Sequence, residues 1–190
     1  MLENISNLVR EEAGDAIINN PAVPNQHNEA VIQETSNSIL GSLKNALSGD
    51  GINGLLGMFG NNGADVHTNP VTQNASGSVI KTLMEKFGLN QEAAGGIAGS
   101  LVPNVLKKLV NRTNDPGDNS FNIQDIFNQL SGGKTSQLNL PSLIAKAKGA
   151  LDLDKDGDTD LQDLKSIFSG NQSNTGNSAG LDSLKGLFNK

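Results

Sequence analysis

Apolar positions recur at steps of three and four through the first two thirds of the chain. In "NEAVIQETSNSILGSLKNAL", Ile32, Ser36, Ile39, Leu40, Leu43 and Leu47 share one stripe, which predicts a helix. "GSVIKTLMEKFG" aligns Val79, Ile80, Leu83, Met84 and Phe87, and Gly88 is the expected stop. "LNQEAAGGIAGSLVPNVLKKLVNR" continues with Ile97, Leu101, Val102, Val105, Leu106 and Leu109. Pro103 lacks an N–H and restricts Val102, so a break or kink is expected there. Residues 1–20 read as an N-terminal helix. No stretch sustains an alternation of period two, so strands should be nearly absent. The pattern predicts an all-α fold, a multihelical bundle of short helices.

Two stretches read as linkers. Residues 60–77 and 170–180 are polar, rich in Gly and Asn, and aperiodic. Neither carries enough apolar surface to offset its own ordering entropy. Two repetitions run beneath this plan. Leu40 and Leu43 align with Leu106 and Leu109 at a separation of 66; Val23 and Leu89, Val31 and Ile97, and Ile39 and Val105 also match in type. The echo suggests two related helical hairpins. A shorter signature recurs as "INGLLGMF", "LQDLKSIF" and "LDSLKGLF", with four apolar residues on one helical face each time.

The segment "KFGLNQEAAGGIAGSLVPNVLKKLV", residues 86–110, resembles the helical repeat of bacterial YidB-like proteins, a family of uncharacterised function. The shared features are Phe-Gly-Leu, an Ala/Gly-rich helix and an apolar stretch through Pro. With the preceding hairpin, the resemblance spans residues 21–112. It implies an all-helical fold and no particular activity.

Charge changes the picture at one place. "DLDKDGDTDLQD", residues 152–163, holds six aspartates and one lysine, and so carries −5 of the formal net charge of −6. The rest of the chain is close to neutral, so the acidity is a local feature. Asp occupies loop positions 1, 3, 5, 7, 9 and 12, with Gly157 at position 6. This resembles the EF-hand calcium loop, and its closing Asp resembles dockerin loops. Hard divalent ions take six to eight oxygens, and alternate residues of a tight loop point inward. Asp152, Asp154 and Asp156 would ligate through their side chains and Asp158 through its carbonyl. Asp160 would act directly or through water, and Asp163 would supply the closing carboxylate. Ca²⁺ is the expected ion, with Mg²⁺ weaker. Asp163 is one methylene shorter than the usual Glu, which implies reduced affinity.

A partner loop lies 38 residues upstream. "NDPGDNSFNIQD", residues 114–125, aligns without gaps, and the two loops and their helices form an EF-hand-like pair over residues 113–169. Asn114, Asp118, Asn122 and Asp125 take ligand positions, and Phe121 the apolar position 8. Pro116 offers no side-chain oxygen and Asn119 replaces the glycine. The loop reads as degenerate, weakly binding or metal-free. Pairing would set Phe121 beside Thr159 in a short antiparallel bridge.

Other chemistries find little support. His27 and His67 lie apart in loops, and there is no Cys, so neither a hydrolase constellation nor a thiolate site can be assembled. The expectation is a protein that is not an enzyme. Lys107, Lys108 and Arg112 form a small basic cluster without Tyr or Trp to interleave, a poor fit to nucleic acid; it suits a helix C-terminus better. The N-terminus lacks a signal-peptide pattern and no apolar run approaches a membrane span, which points to a cytoplasmic protein. The segment at 181–188 places Leu181, Leu184, Leu187 and Phe188 on one face beyond the second linker. It is too short to be helical alone and needs its own domain, a second copy or a protein partner to dock on. Two functions therefore stand: a calcium-binding helical module, structural or sensing, and a helical assembly or interaction module whose acidic loop is incidental.

Overall fold

The computed structural model describes residues 2–48, 51–60, 66–115, 117–118 and 120–136. The acidic loop at 152–163, the helices expected to flank it, the expected linker at 170–180 and the segment at 181–188 lie outside the described residues.

Six α-helices make up the described chain: α1 (Leu2–Ala13), α2 (Asn28–Ser48), α3 (Ile52–Gly60), α4 (Pro70–Phe87), α5 (Gln91–Asn114) and α6 (Ile123–Leu130). No strand occurs among the described residues. A π-helical turn at Gly14–Ile18 widens the end of α1, with Asn19 N–H bonding the Gly14 carbonyl at 2.8 Å.

Helices α1, α2, α4 and α5 are neighbours in a ring: α1 on α2, α2 on α4, α4 on α5, and α5 back on α1. The stripes expected from sequence form the core. Ile32, Ser36, Ile39, Leu43 and Leu47 are buried on α2, as are Ile97, Leu101, Val102, Val105, Leu106 and Leu109 on α5. Ser36 fits there because its hydroxyl donates to the Ile32 carbonyl at 2.7 Å. Leu40 is half-buried, and Met84, on the outer edge of its stripe, is exposed.

The repeat separation of 66 extends further than the sequence echo. On α1 and its π-helical turn, Ile5, Val9, Ala13 and Ile17 are buried; 66 residues on, Val71, Ala75, Val79 and Leu83 are buried on α4. The two hairpins therefore present equivalent faces. They also share a register. Across α2 and α4, Glu34 pairs with Lys86 at 2.7 Å and Ser38 with Thr82 at 2.9 Å, so these helices are antiparallel. Across α5 and α1, Lys108 pairs with Glu12 at 2.9 Å. Shifted by 66, Lys108 and Glu12 fall on Ser42 and Ser78, one turn from the Ser38–Thr82 contact. The ring thus has an approximate two-fold symmetry relating α1 to α4 and α2 to α5.

Two expectations need correction. Residues 70–77, read as linker, are the first turns of α4. Asn69 caps the helix through Val71 N–H, Pro70 occupies the first turn where its missing N–H costs nothing, and Val71 and Ala75 extend the buried stripe upstream of Val79. Nor does Pro103 break α5, which runs unbroken from Gln91 to Asn114. Its ring is buried in the core, and the residue at i−4, where ring and carbonyl crowd, is Gly99.

The short helices close the assembly. Helix α3 packs on α2, α4 and α5, and α6 packs on α2. Phe59 of α3 meets Phe127 of α6 edge to face, with centroids 5.7 Å apart.

Candidate functional site

The described part of the sequence-derived site is the loop that joins α5 to α6. Its end is well defined. Asn122 caps α6, its Oδ1 accepting from Gln124 N–H at 2.8 Å. Ile126, Phe127 and Leu130 then bury the face of α6 that holds the loop's exit in place. Phe121, at loop position 8, is buried with 4% exposure.

The residues expected as ligands point to different partners. Asn114 ends α5, and its Nδ2 donates to the Phe59 carbonyl at 3.2 Å, tying the loop's first residue to α3. Asp118 accepts from Ser120 N–H at 2.9 Å through Oδ1, and its Oδ2 lies 3.6 Å from Arg112 Nε. Asn122 is engaged in capping. Asp125 is exposed in the first turn of α6, where a carboxylate favours the helix dipole. Asp115, not assigned as a ligand, accepts from Gly117 N–H at 2.8 Å in an Asx turn. Among the described residues, no three acidic or histidine side chains gather where a cation could be held. Asn114, Asp118 and Asn122 thus make contacts to α3, to Arg112 and to the start of α6 respectively. The six aspartates of 152–163 and Thr159, the expected neighbour of Phe121, lie outside the described residues.

What the loop does meet is the positive end of a charge network. Lys108 contacts Glu11 at 2.8 Å and Glu12 at 2.9 Å. Arg112, one turn further along α5, lies 3.7 Å from Glu11 and 5.0 Å from the centroid of Phe121, over the ring. Asn4 of α1 donates to the Ser120 carbonyl at 3.1 Å, so α1 borders the loop near its end. The hydrogen bond from Lys108 holds the Glu11 carboxyl below the ordinary carboxylate range. The same bond, with that to Glu12, holds the Lys108 ammonium above its ordinary value. Sequence reasoning placed this basic cluster at a helix C-terminus. Arg112 does lie in the last turn of α5; the structure adds acidic partners for Lys108 and Arg112 on α1 and in the loop, and leaves Lys107 exposed. The adjacent pair Glu11–Glu12 on a short helix was the available signal.

A small cleft lies beside the network, lined by Ile5, Leu109, Phe121 and Ile126 with Asn4 and Gln129 at its rim. Its apolar residues are already buried against one another, and the free space is about that of one water. His27 stands edge to face with Phe87, and His67 is exposed and distant in sequence.

No family model, curated protein or solved structure matches the chain. No helix among the described residues is long and apolar enough to cross a membrane.

Proposed function

We propose that this chain is a non-enzymatic calcium-binding helical protein, structural or sensing, with its cation site at residues 152–163. The observation that carries the reading is the spacing of Asp152, Asp154, Asp156, Asp158, Asp160 and Asp163 around Gly157. Six carboxylates in twelve residues repel one another unless a cation turns that repulsion into attraction. The helical bundle serves as the scaffold. The likeness of residues 86–110 to the YidB-like repeat belongs to the same proposal and adds no reaction to it.

Ca²⁺ should raise the melting temperature of the full chain relative to chelator, because a ligand that binds the folded state stabilises it by mass action. Mg²⁺ should do so more weakly. Asp152→Ala combined with Asp156→Ala should abolish the shift. A melting curve indifferent to excess Ca²⁺ would refute the reading.

A second reading draws on Leu181, Leu184, Leu187 and Phe188, four apolar residues at helical spacing after a polar stretch. On this reading the chain is an assembly module that docks this segment on a second copy or a protein partner. Deleting residues 171–190 should then shift its oligomeric state in ultracentrifugation without changing its response to Ca²⁺.

A further inference from the structure

We infer that Arg112 is a built-in cation for the loop from Asn114 to Asp125, which its guanidinium holds closed in place of a metal ion. Asn114 bonds the Phe59 carbonyl, Asn122 caps α6, and Asp118 turns one oxygen to Ser120 N–H and the other toward Arg112. An ion at this loop would compete for the Asp118 oxygens, which already face Ser120 N–H and Arg112.

Arg112 is well suited to the role. It is anchored on α5, two residues before the loop begins. Its planar group lies over Phe121 and is steadied by Glu11 on the far side. A guanidinium stacks on an aromatic ring in a way a hydrated ion does not. A divalent ion approaching Asp118 would meet this fixed positive charge within a few ångströms, where like charges repel strongly. Its described residues tie α1, α3, α5 and α6 together without a ligand. The inference does not rest on residues 152–163 binding calcium. If they do, the chain takes one ion, not two.

The test uses the full-length chain carrying Asp152→Ala and Asp156→Ala, titrated with CaCl₂ by calorimetry. No saturable binding is expected, and adding Asp118→Asn should change nothing. Saturable binding that disappears with Asp118→Asn overturns the inference. Thermal melts in chelator supply the second arm. Arg112→Gln and Asp118→Asn should each lower the melting temperature, and the double variant should lose no more than the larger single loss. Arg112→Lys should recover only part of the loss, since it keeps the charge and forfeits the stacking. Additive losses, or full recovery by Lys, also overturn the inference. If the unaltered chain binds no Ca²⁺, the calcium function fails while the coupling between Arg112 and Asp118 remains the expected result.

Discussion

Asn69 reaches Gly54 across the joint between α3 and α4: its Nδ2 donates to the Gly54 carbonyl at 2.9 Å while its Oδ1 accepts from Val71 N–H at 2.9 Å. One buried side chain thus caps one helix and anchors another. Removing a cap of this type costs about 0.5–2 kcal/mol. Asn69→Ala loses both bonds and should fall in the upper part of that range. Asn69→Asp keeps the cap acceptor but loses the donor, and should cost less. Urea melts of the two variants check the order.

The approach at this joint also depends on the absence of a side chain. A Cβ at Gly54 would stand 3.0 Å from Val71 Cγ2 and 3.3 Å from Asn69 Oδ1. Alanine improves helix propensity by roughly 1 kcal/mol over glycine. Gly54→Ala should nevertheless destabilise the fold, because Val71 is buried and has little room to retreat. A gain in stability would show that α3 can slide away from α4.

Gly88 ends α4 at φ 67°, and the turn closes with Gly88 N–H to the Met84 carbonyl at 3.1 Å and Leu89 N–H to the Leu83 carbonyl at 3.4 Å. A side chain in this left-handed conformation costs about 1 kcal/mol. Gly88→Ala should lower stability by about that amount, and Gly88→Asn by less, as read by chemical denaturation.

The bond between Lys108 and Glu11 gives the fold a pH dependence with a fixed sign. The Glu11 carboxyl is held below its ordinary value near 4.5, so its contribution is present above that value and lost as the pH falls through the lower folded value. The Lys108 ammonium is held above its ordinary 10.5, so its contribution is complete below that value and lost as the pH rises past it. Both groups are more than a third exposed, and screening keeps the effect small. The melting temperatures of the natural chain and Glu11→Gln should differ near neutral pH and converge as the pH falls below the lowered folded value of Glu11. A gap that persists into acid would exclude Glu11 as its source.

How much of this could be read in the sequence depended on the range of the interaction. The stripes through Ile32, Ile39 and Leu43, and through Ile97, Leu101 and Val105, are local patterns, and they became the core. Residues 70–77 were missed because Thr72, Gln73, Asn74 and Ser76 hide a helix whose buried positions are only a few small or short side chains at four-residue steps. Pro103 did not end α5 for a related reason: the penalty for proline is local, but the burial that offsets it is tertiary. At the candidate site, the helix after the loop was legible from the gapless alignment with residues 152–163, whereas the capping role of Asn122, read as a ligand position, was not. The direction of Asn114 was not, because its partner is a backbone carbonyl 55 residues away.

The ring of helices has a consequence for the order in which it forms. The α4–α5 contact is joined by three residues, so its two faces meet after little loss of chain entropy. The contact between α1 and α5 bridges 96 residues at Glu12 and Lys108. Local contacts favour rapid folding and distant ones retard it. The α4–α5 hairpin is therefore the expected nucleus, and docking of α1 the expected late event. Substitutions at Val79 and Val105 should mainly slow folding, whereas substitutions at Ile5 and Glu12 should mainly hasten unfolding, a division that stopped-flow kinetics would expose. Of the ring's four helices, the one made first would then be the last to find its place.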